Sequence, residues 1–247
     1  MKWVPDKTGR FAERPHYDPS EIDYECERIV QEFLSRKYGK AVFPISTDDL
    51  TVLVEGAVDD LDLGADLSEE EGEVEGVTEF RREKKPIVKI ASRLVGDPRM
   101  ENRLRTTLTH EFTHVSFHSF MFEVEIKPPS LFDSLDSPEN AESYSNKCKR
   151  DAIMGASQND WMEWQAGYGC GAFLIPLTAL ISTVRDFREK RRLTLRPISA
   201  DSAEGEELIE IVASTFQTSR DAARVRMMQK NILENTSAGQ TTPLFWG

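Results

Sequence analysis

His110-Glu111-Phe112-Thr113-His114 is a His-Glu-x-x-His pattern. On a helix, residues four apart differ by only about 40° in direction and stack one turn above each other, so both imidazoles can reach one cation. Glu111 lies about 100° from His110, beside such a cation rather than on it. That is where a base stands to take the proton of a water held by the metal. Leu104, Leu108, Phe112 and Val115 fall on a separate apolar stripe, which buries the helix against its neighbours. The pattern predicts metal binding and hydrolytic chemistry.

A third ligand has to come from elsewhere. His118 continues the four-residue spacing, but it stands about 12 Å from His110 along a helix axis, whereas a zinc–nitrogen bond is about 2.1 Å. Val115-Ser116-Phe117 supplies no glycine to turn the chain back toward a metal. His118 is therefore expected at the cleft rim or in the core. Glu163 is the better ligand. On a helix it shares its face with Ala166, Gly167, Cys170 and Gly171, and small residues let two helices approach closely enough for a short carboxylate to reach across. Each glycine costs a helix about 1 kcal/mol relative to alanine, so this cluster calls for a packing reason.

The elements that must position these groups follow from local pattern. Pro5, Pro15 and Pro19 mark an extended arm over 1–20. Asp18, Pro19 and Glu21 occupy the cap, first and third positions of a helix that exits at Gly39. Ser46 opens a short helix over 47–55. The run 59–75 is acidic and holds no Lys or Arg. It reads as a solvated loop or the outer side of a hairpin, or else as a surface that steers a basic partner. Segments 74–80 and 86–91 read as strands joined by the basic turn 81–85. Asp97 and Pro98 open a long helix through Phe120, and 127–160 is a long irregular insertion rich in Pro, Ser, Asn and Asp. A third helix covers 161–174, and Pro176 opens another toward Arg192. Two further helical faces are marked by Leu208, Ile211, Val212 and Phe216, and by Ala222, Val225 and Ile232, the second capped by Thr218. The fold class is α+β, mainly helical with a small β-sheet.

On His110-Glu111-x-x-His114, on Glu163-x-Gln165-Ala166 and on the closing Leu174-Ile175-Pro176, the chain resembles the ImmA/IrrE metallopeptidases of bacteria and their mobile elements. More weakly, Phe216-Gln217-Thr218-Ser219 and the Ala222-Ala223 that follows are similar to that family's C-terminal helix-turn-helix-like part. The resemblance implies a zincin-like metallopeptidase domain over 21–196, a helix-turn-helix-like part over 197–235 and a tail over 236–247. It implies Zn2+, with Mn2+ or another divalent ion as substitute, held by His110, His114 and Glu163. It also implies a protein substrate, a helix-turn-helix transcriptional repressor. Two positions depart from the family pattern: Gly167 stands where Asn or Asp usually orients a ligand histidine, and Gly169 where an aromatic usually follows. Asp160, one turn from Glu163, is the candidate replacement orienter. The insertion 127–160 is expected beside the cleft as a lid or specificity loop.

Two functions from different classes fit these residues. In the first, the chain is an endopeptidase with Glu111 as general base, and Tyr168, Tyr144 and Arg82 are candidates to stabilise the oxyanion. In the second, the metal holds the fold, and the protein sequesters a repressor or antitoxin without cutting it. A third possibility, direct DNA binding, would use Arg220, Arg224, Arg226 and Lys230, but a recognition helix needs three or four base-reaching side chains and usually a dimer.

Composition narrows the field. The 247 residues carry 43 acids against 31 bases, a net charge of −12, so the surface as a whole is no nucleic-acid footprint. No apolar run of about 18 residues predicts a membrane span, and the N-terminal residues show no secretory signal. Three widely spaced cysteines, Cys26, Cys148 and Cys170, make no disulfide framework. The expectation is a cytoplasmic protein.

Overall fold

The computed structural model describes residues 1–70, 73–124, 143–149 and 160–235. The tail 236–247 and most of the insertion, 127–142 and 150–159, lie outside them. The chain divides into two compact units, Met1–Leu177 and Thr178–Gly247, and the architecture is α+β.

The first unit opens with a hairpin where an extended arm was expected. β1 (Lys2–Pro5) pairs antiparallel with β2 (Glu13–His16), with Lys2 opposite His16 and Pro5 opposite Glu13. Asp6 organises the connection: its carboxylate accepts hydrogen bonds from the Thr8 and Phe11 amides at 2.9 and 3.1 Å, and Gly9 supplies the left-handed residue at φ 78°. A two-stranded ribbon tolerates Pro5 and Pro15 because both of its strands are edges.

α1 (Pro19–Tyr38) begins with the expected Asp18/Glu21 capping box and ends at Gly39 in the left-handed conformation. Ile22, Cys26, Val30 and Leu34 bury one face. α2 (Thr47–Ala57) is capped by Ser46, whose hydroxyl accepts from the Asp49 amide. The sheet that follows has the order β3-β5-β4-β6. β3 (Asp60–Ala65) runs parallel to β5 (Lys84–Ala91), which pairs antiparallel with β4 (Val74–Arg81). β4 in turn pairs antiparallel with β6 (Ser143–Lys149).

Two of these strands depart from the sequence reading. β3 lies inside the acidic run, where Leu61 and Leu63 give a two-residue apolar period that the flanking aspartates obscure. β6 lies inside the supposedly irregular insertion. Its Ser-Tyr-Ser-Asn-Lys-Cys-Lys sequence has no hydrophobic alternation, so pairing with β4 rather than local pattern makes it a strand.

α3 (Glu101–Val124) follows a short 3-10 turn in which the Asp97 side chain accepts from the Arg99 amide. It packs on β4 and β5 and against α2 and α4 (Trp161–Leu174), and α4 packs in turn on α1. α3 is central rather than amphipathic. Residues 107–115 are buried on every side, polar and apolar alike, so the separate apolar stripe is only part of its buried surface.

The second unit holds α5, which begins at the boundary (Leu177–Arg191), then β7 (Ile198–Ser199), α6 (Ala203–Phe216), α7 (Arg220–Gln229) and β8 (Leu233–Glu234). β7 and β8 pair in parallel. Residues 217–219 join α6 to α7, and Leu208, Val212, Phe216, Ala223 and Met227 are buried. The cap of α7 is Ser219, whose side chain accepts from the Ala222 amide, and not Thr218. Gln217 takes the left-handed conformation at φ 51° that ends α6, which shifts the cap one residue on. No single helix among the described residues is long and apolar enough to cross a membrane.

Candidate metal centre

α3 and α4 approach each other through small residues. A Cβ on Gly169 would lie 2.5 Å from Thr113 Cγ2, so any larger residue there would force the two helices or Thr113 to shift. One residue on, Thr109 Oγ1 lies 3.2 Å from Cys170 Sγ. The close face is therefore Ala166, Gly169 and Cys170, all buried, while Gly167 and Gly171 are partly exposed. Burial pushes the Cys170 thiol up to about 11, against the hydrogen bond with Thr109. It is a packing residue.

This approach brings His110, His114 and Glu163 together. The two histidine Nε2 atoms are 3.2 Å apart. Glu163 Oε2 is 3.2 Å from His110 Nε2, and Oε1 is 3.3 Å from His114 Nε2. Four-coordinate zinc with bonds of about 2.1 Å separates neighbouring ligand atoms by about 3.4 Å, so the donor set has the spacing of a tetrahedral site. Two imidazoles and a carboxylate suit Zn2+ or a similar borderline cation. These residues could hold a metal ion, and they are the group among the described residues that meets that geometry.

The electrostatics agree. Burial works to raise the Glu163 carboxyl, but His114 and His110 outweigh it and hold the group well below the carboxylate range. Burial opposes charge on His114, and Glu163 reverses this, raising its pKa. The pocket thus favours positive charge facing an ionised Glu163. At Glu111 burial dominates over His110, His114 and Thr78, and the carboxyl is raised. A base whose pKa moves toward neutrality is better matched to proton transfer.

β4 positions Glu111. Thr78 Oγ1 donates to Glu111 Oε2 at 2.5 Å. Glu111 Oε1 is buried and has no hydrogen-bond partner among the described residues. A Cβ on Gly76 would sit 2.5 Å from that oxygen, so glycine clears the space it occupies. Thr78 and Gly76 were not anticipated. The available signal was a glycine inside a strand pattern, which marks a close approach to the backbone, with Thr78 two residues away on the same face.

His118 is fully buried and not at a rim. Its Nδ1 lies 3.0 Å from His114 Nδ1, and its Nε2 lies 2.9 Å from Gln165 Oε1. Gln165 Nε2 donates to the Pro15 carbonyl at 3.1 Å. Burial, and then the neighbouring His114, push the His118 pKa down, so it is neutral.

The remaining sequence candidates lie elsewhere. Asp160 caps α4: Oδ1 accepts from the Met162 and Glu163 amides, and Oδ2 pairs with Arg10 at 2.5 Å. It sets the start of the helix that carries Glu163 and bonds neither histidine. Tyr168 is buried and donates to Asp23 on α1 at 3.0 Å, which makes it a helix-packing residue. Arg82 is exposed in the turn between β4 and β5. Tyr144 pairs with Phe80 through the backbone of β6, and its side chain lies outside what is described. No protein-family model and no curated protein matches this chain.

Proposed function

We propose that this chain is a metal-dependent endopeptidase with a zincin-like catalytic unit, similar to the ImmA/IrrE metallopeptidases, that hydrolyses a peptide bond in a regulatory protein, a helix-turn-helix repressor. The observation that carries the reading is the convergence of His110, His114 and Glu163 on one tetrahedral spacing beside an unpaired oxygen of Glu111. A divalent cation bound there would polarise the scissile carbonyl and lower the pKa of a water toward about 7. His110 and His114 present Nε2 to that position, and Glu163 supplies the negative charge that holds it. Glu111 accepts a proton at Oε1 and returns it to the leaving amine. Thr78 fixes Oε2, so Oε1 is the oxygen free to exchange protons.

The test pairs zinc-loaded protein with a small helix-turn-helix repressor encoded beside it. Fragments at substoichiometric protein, absent with Glu111→Gln that still binds zinc, are the expected result. Equal cleavage by Glu111→Gln overturns the assignment.

One observation favours a second reading. His110, Glu111 and His114 are 0% exposed and Glu163 is 8% exposed, as befits a metal that holds structure. In that case the protein sequesters its partner, and the product is an intact repressor in a stoichiometric complex.

A further inference from the structure

We infer that His118 and Gln165 are positioning residues that form a one-way hydrogen-bond relay, anchored on the Pro15 carbonyl of the N-terminal hairpin, which fixes His114 in its metal-ligating tautomer. The inference rests on the metal-site reading above and names the groups that orient one ligand.

The direction of the relay follows from elementary donor and acceptor chemistry. A backbone carbonyl only accepts, so the Gln165 group 3.1 Å from Pro15 O is the amide nitrogen. The Gln165 carbonyl oxygen is then the atom 2.9 Å from His118 Nε2, and it too can only accept. His118 must therefore carry its proton on Nε2. A neutral imidazole has one proton, so His118 Nδ1 is bare and accepts. The atom 3.0 Å from it, His114 Nδ1, must donate. The proton that His114 keeps when it ligates is thereby held on Nδ1, and Nε2 is the nitrogen that faces Glu163 Oε1 and His110 Nε2. Each step removes one of two choices, and all of them descend from a carbonyl that cannot be reversed.

The relay fills the role left open at Gly167. A ligating histidine usually donates its other nitrogen to an oxygen that sets its orientation; here a second histidine does so, with a glutamine behind it. His118, Gln165 and Pro15 are all buried, so water does not compete for these bonds. The hairpin holds its place through contacts besides Pro15: Arg10 pairs with Asp160, and Phe11 packs edge-on against Trp161 with centroids 6.3 Å apart.

The decisive measurement is the tautomer. In full-length, 15N-labelled, metal-free wild type at pH 8, long-range 1H–15N correlations should place protons on His114 Nδ1 and His118 Nε2. A His114 Nδ1 without a proton, or a proton on His118 Nδ1, overturns the relay, whether or not the protein takes up metal. Zn2+ affinity is read in parallel by competition with a chromophoric chelator. His118→Phe and Gln165→Met should each weaken it about 10- to 100-fold. His118→Gln, which keeps an acceptor toward His114 and a donor toward Gln165, should recover most of the loss. Unchanged Zn2+ affinity in either folded variant, or no recovery with His118→Gln, also overturns the relay. Absence of Zn2+ uptake by wild type would overturn the metal-site reading instead, leaving the tautomers to decide the relay.

Discussion

At the scale of the residue, the proposed hydrolysis depends on which oxygen of Glu111 is tied and which is left bare. Thr78 ties Oε2, and the missing Cβ of Gly76 makes room for Oε1. Gly76→Ala adds an atom that would sit 2.5 Å from Oε1 and 2.8 Å from Glu111 Cγ, so the carboxylate must swing away. Its Zn2+ affinity is expected to stay within a few-fold of wild type, since no ligand is touched. Hydrolysis is expected to fall about 100-fold or more, the scale of losing a positioned general base. Matched zinc titrations and cleavage rates check this, and a Gly76→Ala protein with full activity would refute the placement of the base. The grouping of His110, His114 and Glu163 was legible in the sequence because the histidines are periodic on one helix and Glu163 sits in a small-residue stripe. Thr78 and Gly76 were not, because a strand reveals its faces but not which helix residue it meets.

At the scale of the element, two joints carry the site. The first is the crossing of α3 and α4. Gly169→Ala would place a Cβ 2.5 Å from Thr113 Cγ2 and 2.7 Å from Thr113 Oγ1. Such overpacking typically costs about 1–3 kcal/mol, and moving α4 also moves Glu163. Thermal melts and zinc affinity should both fall, and adding Thr113→Ala should recover much of each, a coupling that a double-mutant cycle measures. The sequence announced a close approach but turned it toward Gly167 and Gly171; only the packed pair shows which face meets α3. The second joint ties α1 to α2. Asp49 is 5% exposed and bonds Lys37 Nζ at 2.6 Å, Tyr38 at 3.1 Å and Ser46 Oγ at 2.9 Å. Burial acts to raise its pKa, but those partners outweigh it and the net shift is downward. A folded pKa below the unfolded value means the stabilisation is complete above about pH 4 and is lost as pH falls through the folded value. Asp49→Asn should therefore melt below wild type at neutral pH, with the gap closing in acid. A gap that widens in acid would contradict the sign.

At the scale of the whole molecule, several charges that look free in sequence are paired with one another. The acidic run begins with Asp59 bonded to Arg81 at 2.6 Å and ends with Glu75, 4% exposed, bonded to Arg103 at 2.5 Å. Between them lie the edge strand β3 and the exposed Ser68 and Glu69, so with both ends paired the run offers a smaller steering surface than its composition suggests. The basic cluster of α7 is spent in the same way. Arg220 pairs with Glu206 and Glu210, Arg224 with Asp201 at 2.7 Å, and Arg226 is 1% exposed. These pairings join α7 to α6 and to the turn before it, and no linear reading could find them, because the acids lie 10 to 23 residues upstream. Phosphate binding draws its affinity from the release of counterions by unpaired Lys and Arg. With Arg220 and Arg224 paired to carboxylates and Arg226 buried, on a chain of net charge −12, α7 has little to offer a duplex. Fluorescence anisotropy with labelled duplexes at about 50 mM salt, where phosphate contacts are strongest, should show no binding at micromolar protein. Glu206→Gln with Glu210→Gln would unmask Arg220 and should produce weak association that salt abolishes. Tight, sequence-dependent binding by the wild type would mean that these pairs open on contact, and would make α7 a recognition helix.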